Sequence, residues 1–193
     1  MKQLTTEEKR LQFVIAGAYR EIMAAFLLER KSRGLAAGTV KYYAEELHAF
    51  GEYLDLVGVV QFEDLTAALI RQYLLWLEGP REAGPGRNPG GVHAAYRAIR
   101  ALCFWYVSEF EPDGWKNPIL KVRGPKVSKE PLPGVSMVDA FRMVKVCRSR
   151  RDRVALIMLL DGGFRAAELL ALNIGDVDLV GGGVLIKRGK GGK

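Results

Sequence analysis

Between Leu11 and Phe110 the apolar residues recur at intervals of three and four, in successive runs separated by glycine, proline or a capping residue. That spacing lines one side of a 3.6-residue helix and does not match the alternation of a half-buried strand. The first run follows Thr5-x-x-Glu8, a capping-box spacing, and carries Leu11, Ile15, Ala18, Ile22 and Phe26. Gly34 and Gly38 interrupt it. Thr39 can cap a second helix whose apolar face is Val40, Tyr43, Leu47, Phe50 and Leu54. Asp64 or Thr66 opens a third, with Leu69, Ile70, Tyr73, Leu74 and Leu77. After a Gly/Pro-rich loop, Asn88-Pro89 supplies a cap and a first-turn proline for a fourth helix running to about Phe110. Four helices on short connections predict a compact bundle over residues 1–112, and the fold class is mainly α.

The stretch "EPDGWKNPILKVRGPKVSKEPLPGVS", residues 111–136, holds five prolines and five basic residues. It lacks the periodicity of a packed element, and residues 113–135 are expected to form a basic linker. Helical spacing resumes after Ser136 with Val138, Phe141, Met143 and Val144. The apolar run "RDRVALIMLL" that follows is expected to be buried. Asp161-Gly162-Gly163 ends it, Arg165 to Leu172 reads as a short helix, and Val184 to Lys187 as a strand entering the hairpin Arg188-Gly189-Lys190-Gly191-Gly192. Residues 136–193 are thus expected to form an incomplete α+β domain, marginal for an independent core.

Charge narrows the function classes. The formal net charge is +7, but residues 1–112 carry 13 Lys and Arg against 14 Asp and Glu, whereas residues 113–193 carry 16 against 8. A locally basic half suggests a polyanion partner, most simply nucleic acid. No apolar run approaches the roughly 20 residues of a membrane span, and no signal-like stretch opens the chain, so a cytoplasmic protein is expected. Cys103 and Cys147 lie far apart among apolar neighbours and read as small hydrophobes rather than a disulfide or metal pair. With His48 and His93 the only histidines, no metal and no other cofactor is expected.

Three groups of residues could carry chemistry. On the fourth helix His93, Arg97, Arg100 and Phe104 lie opposite the apolar face, with Tyr96 beside them, and no acid offsets the arginines. A guanidinium suits phosphate and the O6/N7 edge of guanine, and a helix fits the major groove, although a plain solvated face has the same pattern. Thr39 and Lys41 stand near the start of the second helix, where backbone N–H groups favour phosphate. Lys121, Arg123 and Lys126 lie in the basic stretch. In the C-terminal part, Arg165 follows a Gly-Gly-Phe turn and Lys190 lies at a glycine-rich hairpin tip. The two could meet one phosphate, or Arg165 could simply pair with Glu168 or Asp161. Asp176 and Asp178 in "GDVDL" read as turn and edge residues.

In this order the features resemble the tyrosine recombinases, the phage-integrase family of DNA-joining enzymes. "RKSRGLAAGTVKYYAEELHAFGEYL", "GVHAAYRAIRALCFWYV" and "NPILKVRGPKV" resemble the SAM-like core-binding domain and its exit. "LIMLLDGGFRAAELLALNIGDVDL" with "GVLIKRGKGGK" resembles the opening of the catalytic domain, with GGFR in place of the more usual T-G-L-R. The resemblance implies a two-domain clamp on double-stranded DNA, assembled with other recombinase protomers. A tyrosine attacks the scissile phosphate, a 3′-phosphotyrosine stores the bond energy, and neither metal nor ATP is required. It assigns Arg165 to stabilising the pentacoordinate phosphorus, Lys190 to protonating the leaving 5′-oxygen, and Glu168 to supporting the arginine helix. The family's H-x-x-R motif and nucleophilic tyrosine have no counterpart after Lys190, since all seven tyrosines precede Arg165. The chain is therefore expected to bind DNA without cleaving it, as part of a recombinase or as a short non-catalytic regulator. A helical protein-interaction module is the reading without nucleic acid.

Overall fold

The computed structural model describes residues 18–80, 85–127 and 134–187. They fall into two compact units, Met1–Lys129 and Glu130–Lys193. The Thr5-x-x-Glu8 box, Leu11 and Ile15 lie outside the described residues, as do Lys190 and the glycine hairpin around it.

Four α-helices of the first unit are described: α1 (Ala18–Ser32), α2 (Ala37–Leu56), α3 (Ala67–Glu78) and α4 (Pro89–Phe110). The apolar faces read from spacing are the buried ones. Leu47, Phe50 and Leu54 of α2, Ile70, Tyr73 and Leu77 of α3, and Val92, Ala95, Ile99, Leu102 and Tyr106 of α4 all belong to one core. Phe26 of α1 meets Tyr43 of α2 edge-on at 5.2 Å and Trp105 of α4 at 5.4 Å, so one ring joins three helices. Caps are local chemistry and fall where expected on two helices. The Thr66 hydroxyl accepts from Leu69 N–H, and Asn88 Oδ1 accepts from Gly91 N–H at 2.8 Å with Pro89 in the first turn. Thr39 is different: α2 starts two residues earlier, its N-cap is Ala36, and Thr39 is an exposed residue of the first turn whose N–H already donates to Ala36 O.

Part of the expected linker is core. Asn117 Oδ1 accepts from Ile119 N–H and opens a 3-10 turn over Pro118–Lys121. Ile119 is 2% exposed and Val122 5%. Trp115 stacks near Phe62 and Tyr106, and its Nε1 donates to Glu63 O. Prolines stop this backbone from joining a helix but do not stop two apolar residues three apart from covering the ends of α3 and α4.

The second unit contains, among its described residues, α5 (Met137–Val146), α6 (Arg150–Asp161), α7 (Ala166–Leu170) and a two-stranded hairpin of β1 (Val177–Asp178) and β2 (Gly183–Val184). The strands are antiparallel, with Val177 opposite Val184 and Asp178 opposite Gly183. The strand expected over Val184 to Lys187 is thus shorter and begins one residue earlier. The largest departure is α6. Its apolar run was expected to be buried, yet it holds no buried residue, and Val154, Ile157 and Leu160 are exposed. On α5 only Ala140 is buried, while Val138 and Phe141 face outward. Three short helices and a hairpin offer too little opposing surface to cover these side chains. No helix among the described residues is long and apolar enough to cross a membrane.

Candidate nucleic-acid interface

Helix α4 positions the first cluster. Its apolar face anchors it in the core, which leaves Arg97 and Arg100 exposed and His93 and Tyr96 half-buried on the other side. The helix has no acid before Glu109. Arg100 is not loose: its guanidinium lies 4.6 Å from the Phe104 ring centroid, a cation–π stack that holds the charge against the helix surface. His93 and Tyr96 rings are 6.1 Å apart. The positive face from His93 to Phe104 runs about 16 Å along the helix at the usual rise per residue.

Neighbouring elements add to this face. The Tyr42 hydroxyl donates to Ala94 O at 2.6 Å, which sets the start of α2 against the N-terminal part of α4. Burial raises the Tyr42 phenol, and Arg97 close by pulls it the other way. Thr39 and Lys41 are exposed at that end of α2, with Lys41 Nζ 3.7 Å from Glu45 in a loose surface pair. Beyond α4, Tyr96 donates to Val122 O at 3.1 Å, so residues 118–126 run as a strap beside it, with Lys121, Arg123 and Lys126 exposed. Nine expected residues of this unit therefore lie on three elements that hydrogen bonds tie together. Three supporting residues escape sequence reading. Arg71 donates to Lys121 O at 2.6 Å. Arg87, in the loop before α4, pairs with Glu46 of α2. Gly124 packs on the Tyr96 ring. Each link spans 28 to 50 positions and leaves no periodic trace; only the Gly124-Pro125 pair hinted at a constrained backbone.

In the second unit Arg165 is the N-cap of α7. Gly163, with φ at +62°, makes the turn before it, in a region that L side chains rarely adopt. A guanidinium at the positive end of a helix is unfavourable on its own. Glu168 offsets it: one carboxylate oxygen accepts the Arg165 backbone N–H at 2.9 Å and the other its Nη1 at 2.6 Å. The carboxylate is 8% exposed and the arginine side chain 66%, so the pair leaves the guanidinium facing solvent. The structure thus shows the pairing with Glu168, with the guanidinium still accessible. Asp176 pairs with Lys187 and accepts from Asn173 N–H, while Asp178 Oδ1 accepts from Val180 and Gly181 N–H; both acids close turns. Among the described residues no cluster of His, Cys, Asp and Glu could hold a metal ion. Cys103 is buried, and burial pushes its thiol up to about 12.

The Arg165 N–H, then its guanidinium, holds the Glu168 carboxyl below the usual carboxylate range. A depressed folded value means that the pairing is complete above the ordinary glutamate pKa and is lost as pH falls through the lower, folded one. A carboxyl carbon titration by NMR should therefore place the Glu168 midpoint below that of glutamate in a short unstructured peptide. A midpoint equal to the peptide's would mean the carboxylate does not hold Arg165.

No protein-family model matches the chain. The tyrosine recombinase XerC of Proteus mirabilis is 30% identical over 168 residues, covering 83% of this chain and 51% of its own length. The tyrosine recombinase XerA of Pyrococcus horikoshii is 25% identical over 173 residues, covering 90% and 54%. Over most of its length the chain is similar to the tyrosine recombinases. In fold it is similar to the XerH site-specific recombinase solved with palindromic difH substrate in a post-cleavage complex. The TM-score is 0.60 at 21% identity, covering 85% of this chain and 49% of that one. The chain spans about half the length of the curated relatives it matches.

Proposed function

We propose that this chain is the DNA-binding portion of a tyrosine-type site-specific recombinase, working in the cytoplasm on double-stranded DNA together with other recombinase protomers. The observation that carries the reading is the acid-free face of α4, with Arg97 and Arg100 exposed beside the strap that bears Lys121, Arg123 and Lys126. Exposed cations along about 16 Å of helix, the length of about five base pairs, suit the charge of a duplex backbone. The XerH relative bound to difH substrate supports it. In the second unit Arg165, oriented by Glu168, is suited to neutralise the oxygens of the scissile phosphate, where preorganised positive charge lowers the barrier most. Lys190 is assigned the leaving 5′-oxygen on the resemblance alone.

A second reading, a non-catalytic DNA binder, has one observation in its favour. All seven tyrosines of this chain lie within unit 1, apart from Arg165 in unit 2. Burial, then a hydrogen bond to a carboxylate, drives the phenols of Tyr19 and Tyr106 up to about 12. Tyr42 and Tyr96 spend their hydroxyl protons on backbone carbonyls. An attacking phenol needs its proton removed, and the surroundings of Tyr19, Tyr42 and Tyr106 oppose that.

Both readings are tested with one nicked duplex substrate. The 193-residue chain should shift the duplex in a native gel and yield no protein–DNA band that survives denaturation. Failure to shift duplex at low salt would remove both readings in favour of a protein-interaction module. A denaturant-resistant band would mean that one of the seven tyrosines does attack.

A further inference from the structure

We propose that Tyr96 and Arg71 are positioning residues, a two-sided clasp that fixes the strap so that Arg123 and Lys126 act with Arg97 and Arg100 as one preformed surface. The inference rests on the nucleic-acid reading above and assigns Tyr96 a different role from the direct contact expected of it by sequence.

Three contacts define the clasp. From α4 the Tyr96 hydroxyl donates to Val122 O at 3.1 Å. From α3 the Arg71 Nη2 donates to Lys121 O at 2.6 Å. The Tyr96 ring also fills the space over Gly124, where an added Cβ would come within 2.9 Å of Cε1 and 3.2 Å of Cδ1. The successive carbonyls of Lys121 and Val122, where the 3-10 turn gives way to extended backbone, are thus held by two helices, and Gly124 lies close against the Tyr96 ring. The buried Val122 side chain fixes the same point from below.

This arrangement has a cost that needs a reason. Arg71 and Lys121 are both cations, yet the structure places the Arg71 guanidinium on the Lys121 backbone rather than on an acid. Glu78 lines the same hollow, with Leu74, Leu75 and Arg123, but no ion pair joins it to either arginine among the described contacts. A spacer needs no such fixing. A segment that must present cations at a set distance from a helix does, because ordering it beforehand removes that entropy loss from the binding step. Tyr96 has one hydroxyl proton, and with Val122 O accepting it, the residue reaches a phosphate only by releasing the strap.

A double-mutant cycle separates positioning from direct contact. Tyr96→Phe keeps the ring over Gly124 and removes only the hydrogen bond, so the core stays folded. Duplex affinity should fall by about five-fold, the scale of one net hydrogen bond. Arg123→Gln alone should cost a similar factor, but in the Tyr96→Phe background its effect should shrink, because a freed strap no longer holds Arg123 in register. Hydrogen exchange on the same proteins gives the second readout. The amides of Leu120 to Gly124 should exchange faster in Tyr96→Phe and in Arg71→Met, with α4 amides unchanged. Gly124→Ala should give the same local speeding. Additive losses with unchanged strap exchange would overturn the clasp and return Tyr96 to direct contact. If the unsubstituted chain ignores duplex altogether, the nucleic-acid reading fails first, and with it the purpose given to the clasp.

Discussion

Replacing Arg97 and Arg100 together by glutamate should weaken duplex binding by roughly a hundredfold at about 0.1 M salt and flatten its salt dependence by about two units of slope. The size follows from counterion release. Each phosphate contact contributes close to one power of the salt concentration, so at a tenth molar two lost contacts amount to nearly two powers of ten. Reversed charge adds repulsion, and loss of the Arg100 stack on Phe104 frees a side chain that the wild-type helix holds in place. Both arginines are exposed on a helix whose opposite face is buried, so the fold should not change. The control is a matched change in net charge elsewhere: Lys31→Glu with Arg33→Glu alters two exposed residues, one in the last turn of α1 and one just beyond it. That variant should bind several times more weakly through the general field but should keep its slope within about half a unit. Equal slopes for the two double variants would mean that α4 does not face DNA. A loss confined to one arginine would mean that the other is an ordinary solvated side chain.

What was legible in the sequence was local. The faces of α4 follow from the spacing of Val92, Ala95, Ile99 and Leu102, and its start from Asn88 and Pro89, because cap and period act within a few residues. The same reasoning misplaced Thr39, where Ala36 rather than a polar residue takes the cap position and no side-chain bond marks the start. The strap was hidden for a different reason. Five prolines in 111–136 say only that no helix forms, whereas burial of Ile119 and Val122 depends on a surface built by α3 and α4, tens of residues away. Arg71 is an unremarkable exposed residue of α3 until the strap brings Lys121 O to it, 50 positions later. Helix α6 shows the converse. "RVALIMLL" reads as core because it is apolar, but burial is a property of partners, and the described residues of its unit supply few. Arg165 and Glu168 were legible as a pair because three positions on a helix start bring them together.

Phe26→Ala should be among the most damaging single changes in the first unit, costing about 3–5 kcal/mol. Phe26 is 0% exposed and is the ring through which α1, α2 and α4 meet, edge-on to Tyr43 and to Trp105. The Arg30 guanidinium covers the same ring at 4.6 Å from its centroid, so truncation also removes a cation–π contact one turn along α1. Two helices approach this ring from different directions, and neither can close the space without leaving its contacts with the third. The cavity therefore stays largely open, the condition under which truncation costs most. For a unit of this size the melting temperature should drop by roughly 15–30 °C, measured by circular dichroism at 222 nm. Leu28→Ala, one helical position off the core at 69% exposure, should stay within about 0.5 kcal/mol of wild type. Because Trp105 lies on α4, loosening the junction should also reach the interface: at temperatures where the variant is still folded, duplex affinity should fall less than in the Arg97, Arg100 double variant, and the salt slope should not change. A cost at Phe26 below about 1 kcal/mol would show that α1 closes onto α4 without its ring, and would move the anchor of the binding face from α1 to the Phe50–Tyr73 contact between α2 and α3.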